Sequence, residues 1–440
     1  MLRHKHPGLL LRLVLTFAAI GVATSALAQA PDLPQRLSFE EARQIFLERN
    51  PDLKAARYRA EQHGHEAWIP ALWPNPSFSM QRNQTSPPGG GISSENTLAL
   101  EQPLRYPGEH AALRRTAASR TDASIQMFSE EAADLFEELR RRYAAIVTAE
   151  SRSAAHERAT AAIRRAVEIG DVRYQEGDIS SFERARLHIA LATYEDALEG
   201  ARKDRRDARI ELAYFLSPDP HAEHHAMEEA QLSATDSLVF KQLVLDYDQL
   251  VAHALDRRGL LTATEAEVAA SEHQLRAARY ARLPNLSVTA GYRGETRPGI
   301  LAPGFTIGLS VGLPVWHQNQ PHIRAATAAA SAASYEMAEA RRRVELDVHD
   351  AYERLRSYER RIVRISDDIL VGSDRLLEDA LYVYEEGEIG LVELLDAVEA
   401  TRTAQLLQTD LLAQYNLSRY ALERSLGVDP TDASPLEPAD

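Results

Sequence analysis

The sequence predicts an α+β chain of 440 residues built as an internal duplication, each copy carrying an entry helix, a β-hairpin and a long antiparallel helical hairpin. Three observations predict it. "YQEGDISSFE" from Tyr174 returns as "YEEGEIGLVE" from Tyr384, 210 residues later. Long stretches rich in Ala, Arg, Glu and Leu flank both copies of that motif. Runs of strict two-residue alternation precede the long helical stretch in each half.

The repeat extends beyond the motif. "LERNPDL" from Leu47 resembles "LDRRGLL" from Leu255 at an offset of 208, "PNPSFSM" from Pro74 resembles "PNLSVTA" from Pro284 at 210, and Pro103 matches Pro314 at 211. Offsets that drift so little indicate duplication with a few loop insertions. The expected divisions are a first repeat at 31–216, a linker at 217–236, a second repeat at 237–428 and a flexible C-terminal tail at 429–440.

Residues 1–30 read as an export signal. Arg3 and Lys5 begin it, an apolar run from Leu9 to Val22 is interrupted by Arg12, and "ALAQA" offers small residues for cleavage after Ala28 or Ala30. Removing Arg3, Lys5 and Arg12 from 50 basic residues leaves 47 against 65 acidic ones, a formal charge of −18. That balance argues against a nucleic-acid partner. With no cysteine, disulfides, thiolate metal sites and a lipid-acceptor thiol are excluded. No later segment is an apolar helix of membrane-spanning length, so a membrane location has to come from strands.

In "LSFEEARQIFLERN", Ser38 and Glu41 have capping-box spacing, and Phe39, Ala42, Ile45 and Phe46 follow at helical intervals. This helix is expected to end near "PALWPNP", where prolines remove backbone donors. Alternation then takes over. Ile307, Leu309, Val311 and Leu313 oppose Thr306, Gly308, Ser310 and Gly312; Leu286, Val288, Ala290 and Tyr292 oppose Ser287, Thr289 and Gly291. The turn-rich "GETRPGILAPG" is read as joining these strands, and "TSPPGGGISS" joins "PSFSMQRNQ" to "NTLALEQPL".

The remainder reads as long helix. Between Glu109 and Gly170 there is no proline or glycine, enough for about 90 Å of helix at 1.5 Å per residue. The matching stretch, Ile323 to Gly387, is interrupted only by Gly372. Return helices are expected over Ser180 to Leu216 and Leu391 to Leu426, so each Tyr-x-Glu-Gly is a hairpin tip with glycine in a left-handed cap.

Strands with aliphatic residues on one face and small or polar residues on the other suit an outer-membrane barrel, and also a half-buried sheet of a soluble domain. Four strands enclose no pore, so the barrel reading requires an oligomer. The Ala-rich helices suit a wall of packed neighbours or a solvated coiled coil.

The order of "LSFEEA", the proline-bounded strands, the long helix, the Tyr-x-x-Gly tip and the repetition of the whole unit resembles the TolC-like outer-membrane efflux channel family, over Leu37 to Val428. "LEQPLRYPGEHAALR" and "LSVGLPVWHQNQPHIRAA" are similar to the CzcC-like heavy-metal branch, with departures at Gly108-Glu109-His110, where that branch tends to Gly-Lys-Arg, and at Pro321, where it tends to Gly. The resemblance implies a homotrimer whose pooled strands close one barrel in outer-membrane lipid, continued by a long periplasmic tunnel of helices. It further implies a periplasmic adaptor (membrane fusion) protein docked on the tips at Tyr174, Gly177, Tyr384 and Gly387, and an inner-membrane pump of resistance-nodulation-division type. No enzyme activity and no cofactor are implied. A type I protein secretion or drug efflux channel is the alternative within the class, and a periplasmic coiled-coil scaffold without a pore the alternative outside it.

Carried over residue by residue, the resemblance places a channel constriction at Glu393 and Asp396, six and nine residues after Gly387, with Glu393 standing where some members have Asp. The alternative is two solvated carboxylates favoured by a helix N-terminus. The first-repeat counterparts are Glu183 and Arg186. The resemblance also implies a tip latch, a hydrogen bond from Tyr384 to Glu183; the alternative is two exposed residues without contact. His221, His224, His225 and Met227 in "PDPHAEHHAMEE" offer metal-ligating atoms but no repeated spacing, so no metal site is assigned and a solvated linker is the plainer reading. No phosphate loop, His-Glu-x-x-His or nucleophile motif supports an enzyme.

Overall fold

The computed structural model describes residues 36–86, 93–216, 232–297, 300–365 and 367–427. The expected export segment, the His221–Met227 cluster and the C-terminal tail lie outside the described residues. In chain order the elements are β1 (Arg36–Leu37), α1 (Phe39–Arg49), α2 (Pro51–Trp68), β2 (Ser77–Thr85), β3 (Ser93–Leu104), α3 (Pro107–Glu176), α4 (Ser181–Leu216), β4 (Ser233–Ala234), α5 (Tyr247–Arg257), α6 (Gly259–Tyr280), β5 (Asn285–Arg297), β6 (Ile300–Gly312), α7 (Gln320–Arg364), α8 (Asp367–Glu385) and α9 (Leu391–Ser425).

The Ser38–Glu41 capping box forms as its spacing predicts. The entry helix, however, is two helices. Asn50 ends α1 and caps α2, accepting from the Leu53 amide at 2.9 Å, while Pro51 fills the first helical position where no amide is needed. The second repeat breaks at the matching place, between α5 and α6 at Arg258. Both break residues reach the end of their own return helix. Asn50 Nδ2 donates to the Phe215 carbonyl at 2.8 Å, and Arg258 Nη1 donates to the Ser425 carbonyl at 3.1 Å. Phe215 and Ser425 are themselves 210 apart, so the duplication preserves a polar bolt although its chemistry has changed from amide to guanidinium.

Helix α3 runs 70 residues, about 105 Å at the standard rise. Its partner in the second repeat is interrupted, but at Ile365 rather than at Gly372. Ile362, Val363 and Ile365 are β-branched, and Ser366-Asp367-Asp368 is start-signal chemistry for a new helix, so the local sequence favours ending one helix and beginning another there. Gly372 falls inside α8.

Strands β2, β3, β5 and β6 form one antiparallel sheet in that order, with β2 and β6 outermost. Strand β5 and strand β6 run well into the stretch read as turn: Pro303 lies in register opposite Gly294. A residue without an amide is tolerated there because β6 is an outer strand. A separate short parallel pair joins β1 to β4.

The tips have their own core. Ile163, Ala166 and Val167 of α3, Leu187 of α4, Tyr384 of α8, and Leu391, Leu394 and Val398 of α9 pack into one buried cluster, so the two helical hairpins lie against each other near their turns. Further along, α5, α6, α7 and α9 share a second cluster around Val344, Val348, Leu355, Tyr415 and Leu422.

Candidate functional site at the sheet faces and the hairpin tips

The register aligns the alternation of all four strands. Phe78 stands opposite Leu100, Leu100 opposite Ala290 and Ala290 opposite Ile307; the next row is Met80, Leu98, Tyr292 and Phe305. The other face carries Ser79, Ala99, Gly291 and Thr306, then Gln81, Thr97, Arg293 and Gly304. One face of the sheet is therefore apolar across its full width and the other is small or polar. The apolar face is uncovered within one chain, with Ile307 86% and Phe78 69% exposed. On the polar face Arg293 donates to Glu95 at 2.8 Å and Ser287 Oγ donates to Glu101 at 2.6 Å. These cross-strand pairs were not legible in the alternation, which records polarity but not register.

The two tips share one backbone design. Gly177 and Gly387 have φ of +88° and +80°. Asp178 N donates to the Arg173 carbonyl and Gly177 N to the Tyr174 carbonyl; Glu388 to Val383 and Gly387 to Tyr384 repeat the pattern. This paired motif needs a residue without a Cβ penalty at the left-handed position, which is why both repeats hold glycine there.

The side chains diverge. Tyr384 is 2% exposed and packed against the first hairpin, whereas Tyr174 is 39% exposed beneath the Arg184 guanidinium. Burial pushes the Tyr384 phenol pKa up; the Arg173 guanidinium opposes this, and the nearby Glu183 carboxylate adds to it. The Tyr384 hydroxyl has no hydrogen bond to Glu183 among the described residues. Glu183 is instead engaged by its own helix start: the Ser180 amide and hydroxyl donate to it at 2.9 and 3.0 Å, and its amide donates back to Ser180 Oγ at 3.2 Å. These bonds hold the Glu183 carboxyl below the usual range. A capping box satisfies orphan amides locally and so outcompetes a longer reach to the neighbouring hairpin.

Two polar contacts between the tips do form: Arg165 Nη2 donates to Glu385 at 3.2 Å between half-exposed side chains, and a more buried one comes from Arg173. Its Nη1 donates to the Tyr384 carbonyl at 3.1 Å, and its guanidinium carbon sits 5.3 Å from the Tyr384 ring centre. Gly170 makes room beside it, since a Cβ there would come 2.3 Å from Leu187 Cδ1 and 3.7 Å from the Tyr384 hydroxyl. Sequence reasoning missed Arg173. The available signal was that it breaks the repeat, with Val383 at the matching position.

Glu393 and Asp396 both lie on the exposed side of α9, opposite Leu391, Leu394, Ala397 and Val398, which are buried. The structure thus places them together on one helical face at the second tip, with no hydrogen-bond or ion-pair partner among the described residues. Among the described residues no group of three or more His, Cys, Asp or Glu is arranged to hold a metal ion.

The sheet and the hairpins are also the features shared with known proteins. The chain resembles the Campylobacter jejuni CmeC outer membrane channel (TM-score 0.75, 17% identity, covering 90% of this chain and 87% of that one). It also resembles the Neisseria gonorrhoeae MtrE outer membrane channel in its open state (0.71, 19%, 88% and 88%) and the Vibrio cholerae outer membrane protein VceC (0.70, 16%, 88% and 96%). At these identities the likeness is one of fold. No curated protein matches the sequence. The family model described as outer membrane efflux protein matches residues 42–216 and 250–428, both repeats of the duplication. With its long helical hairpins and its two-faced sheet, the chain belongs to the outer membrane efflux protein family and is an outer-membrane efflux channel component with a long periplasmic helical extension.

Proposed function

We propose that three copies of this chain close one outer-membrane barrel and one periplasmic helical tunnel, forming the exit duct of a tripartite efflux system. The observation that carries this reading is the sheet: a continuous apolar face, a polar face and two outer strands, β2 and β6, each paired on one side only among the described residues; in this reading their outer edges pair with those of neighbouring copies. Joining edges removes unpaired backbone groups that lipid would not satisfy. The polar face then lines the lumen and the apolar face meets lipid. Transport through the duct is passive, with energy supplied by an inner-membrane pump of resistance-nodulation-division type through a periplasmic adaptor seated on the tips around Tyr174, Gly177, Tyr384 and Gly387.

The tips close the periplasmic end in this reading, and Glu393 and Asp396 ring the narrowest point, so that threefold symmetry gathers six carboxylates where cations pass. Heavy-metal cations are the proposed cargo, supported by the likeness of the strand-to-helix segments around Gly108 and Pro314 to the heavy-metal branch. The test is fractionation followed by planar-bilayer recording. Sedimentation with outer membranes, a heat-modifiable trimer and cation-selective conductance support the proposal; a soluble chain without conductance refutes it and supports a periplasmic scaffold.

A further inference from the structure

We propose that His317 and His322 form a metal site where the sheet passes into the second helical hairpin, holding one copper(II) or nickel(II) ion per chain between two imidazoles that stand opposite each other across it. The site goes beyond the efflux reading and stands whether or not metal cations are the cargo. The two rings lie 6.3 Å apart between centroids, their planes inclined at 69°. Both side chains are exposed, and neither has a hydrogen-bond or ion-pair partner among the described residues. The ring contact each of them makes is with the other.

That spacing decides the coordination. A ring nitrogen lies about 1.2 Å from its centroid and a bound metal about 2.0 Å beyond it, so the ion stands roughly 3.2 Å from each centroid. The centroids then fall about 4.5 Å apart for ligands at a right angle, about 5.2 Å apart for a tetrahedral pair and about 6.4 Å apart for ligands in line. The observed 6.3 Å is that of the in-line pair. Nitrogens in trans, with water completing a tetragonal sphere, suit Cu2+ and Ni2+; Zn2+ prefers a tetrahedral set and has to draw the rings about 1 Å closer. Two protein ligands suffice on an exposed connector, where solvent fills the remaining positions.

The backbone holds the pair in place. In the first repeat Arg105 and Tyr106 alone join β3 to α3, whereas in the second the longer run from Leu313 to Asn319 joins β6 to α7. Asn319 is the one non-glycine residue with positive φ among the described residues, at +59°. Such a conformation persists where the surroundings fix it. Here Asn319 Nδ2 donates to the Ala278 carbonyl in the last turn of α6 at 2.8 Å, and the Gln318 amide donates to Gln320 Oε1 at 3.0 Å. The fixed reversal sets His317, on the connector, beside His322, in the first turn of α7.

The test is titration of the full chain, carrying no affinity tag and held in detergent, with Cu2+, Ni2+ and Zn2+, read by calorimetry and, for copper, by electron paramagnetic resonance. One tight Cu2+ per chain is expected, with hyperfine structure from two nitrogens and affinity falling from Cu2+ through Ni2+ to Zn2+. His317→Ala and His322→Ala are each expected to weaken copper binding by at least about tenfold to hundredfold, the loss that even an outer-shell partner causes. His224→Ala with His225→Ala removes imidazoles of the linker between the repeats and is expected to bind copper as the parent does. Parental affinity in His317→Ala or in His322→Ala overturns the site, and so does a parent without a tight copper ion. Loss of the tight ion in the linker variant overturns it as well, because the ion would then sit there. Zn2+ bound as tightly as Cu2+ overturns the in-line geometry. If an alanine variant does not assemble, the neighbouring Trp316 decides: its emission, taken as the difference between the parent and Trp316→Phe, is expected to be quenched by the paramagnetic ion, and unchanged emission overturns the site.

Discussion

Glu183 closes a capping box with Ser180, whereas Glu393, its counterpart in the duplication, follows Gly390 and has no hydrogen-bond partner among the described residues. Gly390 sits at the N-cap without a side-chain bond, and a Cβ there would come 2.8 Å from Glu393 Oε2. Loss of one hydroxyl thus leaves the second-tip carboxylate to the solvent.

The first prediction follows from that difference. Glu393→Gln with Asp396→Asn keeps side-chain size and the helix, and removes the charge proposed to concentrate cations at a narrow mouth. The double variant is expected to assemble normally and to lose cation selectivity, read as a reversal potential across a salt gradient. Retained selectivity would mean that the two carboxylates are only a solvated helix start. Gly390→Ser is expected to restore the cap, stabilise the tip by a few tenths of a kcal/mol, and weaken selectivity in the same direction.

The second prediction concerns the sheet. Leu309 shares the apolar face with Val288, its partner in register, while Ser310 shares the polar face with Ser287. If the apolar face meets lipid as proposed, an arginine at Leu309 or Val311 is expected to cost about 2–4 kcal/mol at mid-bilayer and to impair assembly of the proposed trimer, whereas arginine at Ser310, on the proposed lumen face, is expected to be tolerated. Equal losses at all three positions would remove the proposed facing of the sheet.

How much of this was legible depends on the range of the interaction that decides it. The capping box at Ser38, the glycine caps at Gly177 and Gly387 and the two-faced strands are decided within a few residues, and the sequence writes them openly. The break at Asn50 was missed because the apolar periodicity continues through it; the asparagine's oxygen has a local use, capping the Leu53 amide, but its Nδ2 is spent on the Phe215 carbonyl, 165 residues away. Arg173 escaped for a similar reason. Its chemistry is directed at a neighbour 211 residues on, and a lone arginine in a helix carries no sign of where it points. Glu183 shows the converse, where a resemblance implied a distant partner and a local cap took the carboxylate first.

The third prediction tests the bolt between entry and return helices. Asn50 is 1% exposed and serves two backbone groups at once, the Leu53 amide and the Phe215 carbonyl. Asn50→Ala is expected to destabilise by about 1–3 kcal/mol, from the lost cap and from one carbonyl left unsatisfied. Asn50→Asp keeps the acceptor for Leu53 but sets a second acceptor against the Phe215 carbonyl in a buried site, and is expected to be at least as costly as Asn50→Ala at neutral pH. Thermal unfolding at fixed protomer concentration measures both, since oligomer stability shifts with concentration. A neutral Asn50→Ala would mean that the break is held by Pro51 and packing alone.

The last prediction concerns Glu130, the hub of a buried network that ties α3 to the start of α6 and the end of α9. Arg258 Nε approaches both carboxylate oxygens at 3.1 and 3.2 Å, Arg424 Nη2 donates at 2.6 Å, and the Leu260 amide donates at 2.9 Å. Burial alone would push the Glu130 carboxyl up, but the Arg424 and Arg258 charges together with their hydrogen bonds more than offset it, and the pKa is lowered below its ordinary 4.5. A carboxylate whose folded pKa lies below its unfolded one stabilises the fold fully above the unfolded value and loses that contribution as pH falls through the folded value. Parental stability is therefore expected to decline as pH drops below about 4.5, partly through Glu130. Glu130→Gln removes the charge that the two guanidiniums share; Arg258 keeps Asp347 at 3.3 Å and Arg424 keeps Asp134 at 2.6 Å, so the expected cost is about 1–3 kcal/mol at neutral pH. The same variant should show a shallower acid decline, because the group that titrates is gone. Denaturant unfolding from pH 7 down to pH 3 compares the two slopes, and an acid limb of unchanged steepness would mean that other carboxylates carry the acid sensitivity.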